Sequence, residues 1–389
     1  MKLMLLLLAL ITGLGIFEME RHRRVRARIP IRIHVNGTRG KSSVTRLIAA
    51  GLRGGGLRTL AKTTGSAARV IHPDGSELPV RRRGGPNIRE QLRIFRRAVA
   101  YQADALVLEC MAVRPDLQWT CEHRIVKATI GVITNARPDH LEVMGPKVED
   151  VADSLAGTVP EGAKLFTSED RFADVFAAKA RQLHSEFHQV DPASVTREEL
   201  DGFAYIEFAD NLSLALAVCE EAGVPRRKAL EGMWRVKPDI GALIPYRVEE
   251  DGKHVEFVNL FAANDPESTA YAWLHMGLGW KEGKVMALLN TRADRMRRAM
   301  DLAPLFGDRI VADHYLLIGE RTSLVADLLR RQAVPKERIV DLDNFDAQTL
   351  WSRIMALCED RATVVGLGNI GGAGLRFLDL LESKIAKSA

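Results

Sequence analysis

Ile31-Arg32-Ile33-His34-Val35-Asn36-Gly37-Thr38-Arg39-Gly40-Lys41-Ser42-Ser43 is the stretch from which the rest of the chain can be read. Ile31, Ile33 and Val35 alternate with polar residues, the period of a strand. Gly37 and Gly40 break the alternation. Val44, Leu47, Ile48 and Leu52 then recur at helical spacing until Gly54-Gly55-Gly56 stops them. Strand, glycine loop and helix in that order form an anion cradle. Glycines let backbone N–H groups wrap the anion, and the helix start adds partial positive charge. In such a loop Lys41 reaches the outer phosphates of a nucleotide, and the Ser42 hydroxyl reaches Mg²⁺. The general nucleotide loop carries a glycine where this chain has Val35, so the pattern is the narrower Gly-Thr-x-Gly-Lys-Ser-Ser. A tight turn with an incidental Gly-Lys-Ser is the plainer alternative. The agreement of strand, loop and helix argues against it.

Outward from the loop, buried-looking strands recur at Ala105–Leu108, Ile130–Ile133 and Lys164–Thr167, with helical stretches such as Ile88–Ala100 and Asn211–Glu221 between them. That alternation predicts an α/β domain with a largely parallel sheet. A turn-rich junction, Pro238-Asp239-Ile240-Gly241 and Ile244-Pro245, precedes a restart of the pattern: strands at Val255–Asn259, Val285–Asn290, Tyr315–Ile318, Ile339–Leu342 and Thr363–Val365, and a last helix at Gly372–Ile385. The expected divisions are an anchor over 1–20, a basic linker over 21–30, a central ATP-type domain over 31–244 and a smaller α/β domain over 245–389.

The 389 residues are 47% apolar and 27% charged, which fits folded protein and excludes a disordered chain. The formal charge of +5 invites a nucleic-acid reading. Residues 1–32, however, hold seven basic side chains (Lys2, Arg21, Arg23, Arg24, Arg26, Arg28, Arg32) against Glu18 and Glu20, which accounts for the whole of that +5. The remaining chain is neutral and no nucleic-acid partner is expected. Four cysteines lie far apart without metal-ligand spacing and read as reduced core thiols. Leu3–Phe17 is apolar except for Thr12 and ends against arginines. As a helix it would be roughly 22 Å long, short of the ~30 Å hydrocarbon core, though Lys2 can snorkel. The expectation is a single-pass membrane anchor with the body on the cytoplasmic side. A cleaved signal peptide and a helix lying in the interface are the alternatives.

Two further motifs follow strands. Glu109 ends Leu106-Val107-Leu108, where a carboxylate points into the ligand crevice of a parallel sheet and can offer hard oxygens to Mg²⁺. A strand-end carboxylate facing water is the alternative. Ile133-Thr134-Asn135-Ala136-Arg137-Pro138-Asp139-His140-Leu141-Glu142 contains an Asp-His pair. With the phosphate loop, this string resembles the Mur ligase family, the ATP-dependent amino-acid ligases of peptidoglycan and folate polyglutamylation. The resemblance implies ATP and Mg²⁺ as cofactors. It implies nucleotide contacts from Gly37, Thr38, Arg39, Gly40, Lys41, Ser42, Ser43, Asn135 and Asn211, metal ligation by Ser42, Glu109 and His140, and catalytic roles for Lys41, Glu109 and His140. One departure stands out. Where many Mur ligases carry a carbamylated lysine, this chain has Ser154. Asn211 also reads as an ordinary helix start before a core face.

In the second domain, Phe261-Ala262-Ala263-Asn264-Asp265-Pro266 and Asn290-Thr291-Arg292-Ala293-Asp294-Arg295 resemble two further Mur motifs, which implies nucleotide contacts from Asn264, Arg292, Asp294 and Arg295. A solvated charged face is the bland reading of the arginine run. Gly366-Leu367-Gly368-Asn369-Ile370-Gly371 matches a dinucleotide fingerprint. It comes too late for a second βαβ unit and reads as a tight strand-to-helix turn.

Only 36 residues precede Gly37, so the UDP-sugar domain of the cell-wall Mur ligases is not expected. The anchor, the early loop, Lys62-Thr63-Thr64-Gly65-Ser66-Ala67-Ala68-Arg69, Gly85-Pro86-Asn87-Ile88-Arg89 and Glu109-Cys110-Met111 together resemble the poly-γ-glutamate synthase ligases of the Mur superfamily. That resemblance implies polymerisation of glutamate through an acyl phosphate, a glutamate chain as substrate, small membrane subunits as partners, and a homo-oligomer. Arginine forks suit carboxylates, which makes Arg69, Arg81, Arg82, Arg83 and Arg89, with Asn87, the candidate substrate set. A basic surface loop without ligand is the alternative. A folylpolyglutamate-synthase-like ligase, a tethered ATPase driving polymer export and a nucleotide-binding scaffold are the rival functions.

Overall fold

The computed structural model describes residues 2–64, 68–82, 85–236, 245–261, 266–276, 278, 282–332, 334–343 and 346–388. The chain divides into two compact units: Met1–Phe203 with Ala209–Ile240, and Gly241–Ala389 with Ala204–Phe208. The expected junction around 238–244 lies outside the described residues.

The first unit is built on an eight-stranded sheet of β1 (Ile31–Asn36), β2 (Thr59–Lys62), β3 (Arg69–Ile71), β4 (Glu77–Pro79), β5 (Ala105–Glu109), β6 (Ile130–Ile133), β7 (Lys164–Thr167) and β8 (Glu186–Gln189). The order is β4-β3-β2-β5-β1-β6-β7-β8, parallel except at the β2-β3-β4 edge. Strand β1 lies between β5 and β6. The chain leaving β1 through α2 (Lys41–Gly54) returns on one side, at β2, whereas the chain leaving β6 returns on the other. Connections that part in this way open a crevice at the carboxyl ends of the strands, where ligands bind. Every residue of β5 is buried, as its unbroken apolar run requires.

The second unit carries β9 (Pro245–Glu250), β10 (Lys253–Asn259), β11 (Lys284–Thr291), β12 (His314–Gly319), β13 (Ile339–Asp343) and β14 (Arg361–Gly368) in the order β13-β12-β11-β14-β10-β9. Only β9 and β10 pair antiparallel. Their turn is Asp251-Gly252, both with positive φ (51° and 73°), the chemistry of a two-residue hairpin. Apolar clusters cover both faces, one around Leu289, Leu317 and Leu329, the other around Phe257, Trp351 and Phe377.

The N-terminus departs from expectation. Helix α1 (Lys2–Arg26) runs without a break through the segment expected to be a basic linker, so 21–26 is helix. Its last turns pack. His22 is buried, donates from Nε2 to Ile125 O (2.8 Å) and meets the Phe95 ring edge-on at 5.0 Å. Phe95 belongs to α3 (Glu90–Ala100). The apolar half is bare, with Met4, Leu8, Ile11 and Phe17 each more than 60% exposed. Among the described residues no helix is long and apolar enough to cross a membrane, so the fold as described does not support the expected spanning helix.

Candidate active site

The glycine loop follows β1 and opens α2. Gly37 has φ +132°, and a Cβ there would lie 2.0 Å from Thr134 Oγ1. Gly40 is the left-handed residue before the helix (φ +79°), and a Cβ there would strike Asn211 Oδ1 at 2.5 Å. Both glycines are therefore demanded by backbone conformation and by close approach. Thr134-Asn135, after β6, braces the loop. Thr134 Oγ1 donates to Arg39 O (2.6 Å), and Thr38 Oγ1 donates to Asn135 Oδ1 (2.7 Å), which also accepts from Arg39 N (3.1 Å). The structure thus gives Asn135 a loop-holding part and sets Asn211 against Gly40 from the helix Ala209–Glu221.

Lys41 folds over its own loop, donating to Gly37 O (2.6 Å) and Thr38 O (3.1 Å). Desolvation pulls its ammonium below the ordinary lysine range, opposed by the charges of Glu109 and Asp139. Ser42 Oγ donates to Glu109 Oε2 (2.9 Å). Glu109 is buried, and it also accepts from Thr64 N (2.7 Å) and Thr64 Oγ1 (2.5 Å). A hydroxyl and a carboxylate thus meet at the start of a helix, beside a loop of backbone N–H groups. That donor set fits a nucleotide's phosphates with a hard divalent cation.

His140 follows Asp139 on the loop after β6. It caps the short helix Leu141–Met144 with φ 45°, its side chain is half exposed, and its ring lies 3.2 Å from Glu142 Oε1. Among the described residues no group of three His, Cys, Asp or Glu side chains could hold a metal ion. A carbamylated lysine has no place either. Ser154 is buried and accepts from Gln118 Nε2 (3.0 Å), whose Oε1 accepts from Asn36 (2.8 Å). This closed amide network fills the position.

Two neighbours lie in the stretches that carry the resemblance, yet the sequence assigns them no role. Thr64, within Lys62-Thr63-Thr64, grips Glu109 through both backbone and side chain. Asp139 faces Lys41 electrostatically and lies 3.9 Å from Arg39. Beneath the loop, His34 is wholly buried on β1, with Nδ1 2.8 Å from Glu122 Oε2 and Nε2 3.8 Å from Cys121 Sγ. Burial opposes its charge, but hydrogen bonds to Cys110 and Glu122 outweigh that and raise it to about 10.

Two of the candidate substrate arginines have carboxylate partners in the fold. Arg82 pairs with Glu90 (2.7 Å), which also holds buried Lys62 (3.2 Å). Arg89 pairs with Glu18 of α1 (2.9 Å), and Asn87 Oδ1 accepts from Arg89 N (2.9 Å). Arg82 and Arg89 are thus ion-paired, and Asn87 is tied to the Arg89 backbone. Arg69 begins β3, Arg81 precedes Arg82 with an exposed side chain, and Arg83 lies outside the described residues. In the second unit Arg292 and Asp294 form a bidentate pair (3.0 and 2.8 Å). Arg295 lines a cavity of about 320 Å³ with Arg297, Arg298 and Asp301. Asn264 lies outside the described residues.

The dinucleotide-like glycines have packing reasons. A Cβ on Gly366 would meet the Phe257 and Phe261 rings at 2.6 and 2.8 Å, and Gly368 has φ +86° against Asn290 O. The turn is held by Asn290 Nδ2, which donates to Gly371 O (2.9 Å).

Comparison with known proteins supports the same assignment. Residues 35–195 match the Mur ligase middle domain, and residues 245–384 match the poly-gamma-glutamate synthase CapB C-terminal domain. The chain is 36% identical to the capsule biosynthesis protein CapB of Bacillus anthracis, over 96% of its own length and 81% of that protein's. It is 35% identical to the PGA synthase CapB of Bacillus subtilis (strain 168), over 96% and 95%. The fold is similar to that of a bifunctional folylpolyglutamate synthase/dihydrofolate synthase from Yersinia pestis complexed with AMPPNP and Mn ion, with a TM-score of 0.56, 17% identity and coverage of 95% and 93%. With relatives at 35% and 36% identity over 96% of its length and both family models matched, this chain belongs to the CapB family of the Mur ligase superfamily.

Proposed function

We propose that this chain joins glutamate units into poly-γ-glutamate at the expense of ATP. The observation that carries the reading is the Ser42–Glu109 contact at the mouth of the Gly37–Ser43 loop, in a chain 36% identical to a CapB protein. Lys41 and the loop N–H groups hold the phosphates of ATP, and Ser42 and Glu109 hold Mg²⁺, which spreads negative charge from the phosphates when bound. Thr64 fixes the carboxylate of Glu109 in place, and Thr134 and Asn135 keep the loop open toward the nucleotide. The γ-carboxylate of a glutamate or glutamate chain takes the γ-phosphoryl group, with ADP leaving. The amine of the next glutamate attacks the activated carbonyl, the amide forms, and phosphate leaves with the amine's proton passing to solvent. Arg69 and Arg81 remain as candidate clamps for the polycarboxylate.

We infer that the bare apolar half of α1, which ends before a run of arginines, anchors the chain at the membrane with the body on the cytoplasmic face; small membrane subunits as partners are carried over from the family resemblance alone. The test is ATP turnover with and without glutamate, plus hydroxylamine trapping. Glutamate-dependent turnover and a glutamyl hydroxamate are expected. Turnover indifferent to glutamate would favour an export ATPase, and turnover dependent on a folate would favour a folate ligase. Lys41→Ala should abolish turnover in every case, and its retention would remove the loop from the site.

A further inference from the structure

A cavity of about 290 Å³ opens between α1 and α3. Its wall has two characters. Leu14, Phe17, Val25 and Leu92 give it apolar lining, and Arg21 and Arg96, interspersed with them on α1 and α3, give it cationic lining. Glu18 also lines it, but its carboxylate is taken by Arg89 at 2.9 and 3.0 Å. Arg23 and Arg24 share Glu20. Arg21 and Arg96 have no carboxylate partner among the described residues. Arg96 reaches only Leu92 O of its own helix (3.3 Å). His22 lines the cavity as a neutral imidazole, since burial holds it below the ordinary range, with Arg26 and Arg96 adding to the effect.

Position matters as much as composition. The apolar run ends at Phe17, and four residues of helix carry the chain ~6 Å further, to Arg21. That distance is about the depth of one headgroup layer, half the difference between a ~30 Å hydrocarbon core and the ~40–45 Å full bilayer. An apolar helix docking here would leave two guanidinium groups facing apolar surface, which is costly. An anion that also carries hydrocarbon satisfies both kinds of lining at once. We propose that this cavity binds the headgroup of an anionic phospholipid, its phosphate between Arg21 and Arg96 and its acyl chains along Leu14 and Phe17. The proposal rests on the reading of α1 as a membrane anchor.

The test is flotation of the full-length chain with vesicles of phosphatidylcholine alone and with phosphatidylglycerol added. Binding to phosphatidylcholine reports the anchor, and the increment on adding phosphatidylglycerol reports the cavity. Two nearby arginines at a bilayer surface should make that increment roughly tenfold or more. Arg21→Gln/Arg96→Gln should lose the increment, keep the phosphatidylcholine binding, and keep ATP turnover in detergent. Arg23→Gln/Arg24→Gln removes equal charge outside the cavity and should keep most of the increment. An equal loss in both double variants would mean diffuse attraction and would overturn the proposal, as would an increment that survives in Arg21→Gln/Arg96→Gln. Displacement of the chain by soluble poly-γ-glutamate, with no difference between vesicle types, would assign the cavity to the polymer instead. Binding only to phosphatidylglycerol vesicles, and only through Arg21 and Arg96, would sink the anchor and leave the cavity standing.

Discussion

At the scale of single residues, the site is a set of short contacts around one carboxylate. Glu109 accepts from Ser42 and twice from Thr64, so the hydroxyl beside the helix start and the strand-end acid are held as a pair. The types and positions of Lys41, Ser42 and Glu109 were legible, because a phosphate loop is local and a strand-end acid has a known direction. Thr64 and Asp139 stand in the motif stretches, but their places beside Glu109 and Lys41 were not legible, because the segment after β2 and the loop after β6 reach the site only through the sheet order. The same limit hid His34, whose partners Glu122 and Cys121 are 88 and 87 residues away. Its imidazole titrates near 6.5 when free and about 10 in the fold. The folded state therefore keeps a proton that the unfolded chain releases above pH 6.5. The stability this contributes is whole below that pH and drains away as pH rises toward 10. The urea midpoint of the wild type should fall between pH 7 and pH 10 more steeply than that of His34→Gln. Parallel slopes would remove the buried imidazolium.

At the scale of elements, the strands and helices followed their apolar periods closely. The strand expected at Val285–Asn290 is Lys284–Thr291, and the helix expected at Asn211–Glu221 is Ala209–Glu221. Short edge strands carried too little pattern to read: β3 and β4 have three residues each. The glycine-rich turn after β14 shows how a motif misleads when taken without its surroundings. Gly366 sits under two aromatic rings, so its missing side chain is a matter of packing between β14 and β10. Gly366→Ala should overpack that layer and cost about 1–3 kcal/mol, read as a lower urea midpoint. An unchanged midpoint would mean the rings move freely and the packing account is wrong.

At the scale of the whole molecule, the chain is two α/β units with a helix of divided character at its start. The net charge of +5, which viewed alone suggests nucleic acid, belongs to the first 32 residues. Half of α1 is bare and half is packed by His22, by the Glu18–Arg89 pair and by Arg26, which donates to Arg124 O (3.2 Å). Deleting residues 2–17 removes only the bare half. The shortened chain should keep its ATP turnover and lose flotation with phosphatidylcholine vesicles. Lost turnover would make the apolar half part of the catalytic body, and retained flotation would place the membrane contact elsewhere.

The sequence by itself determined the loop, the order of strands and helices, the location of the excess charge and the family resemblance, because each is written in neighbouring residues or in their period. Tertiary structure alone decided which arginines are already paired and that Ser154 closes an amide network in the lysine's stead. It also decided that Thr64 grips Glu109 and that residues 21–26 pack as helix. Those outcomes depend on which strands become neighbours. Sheet order brings together groups tens of residues apart, and no local spacing records it.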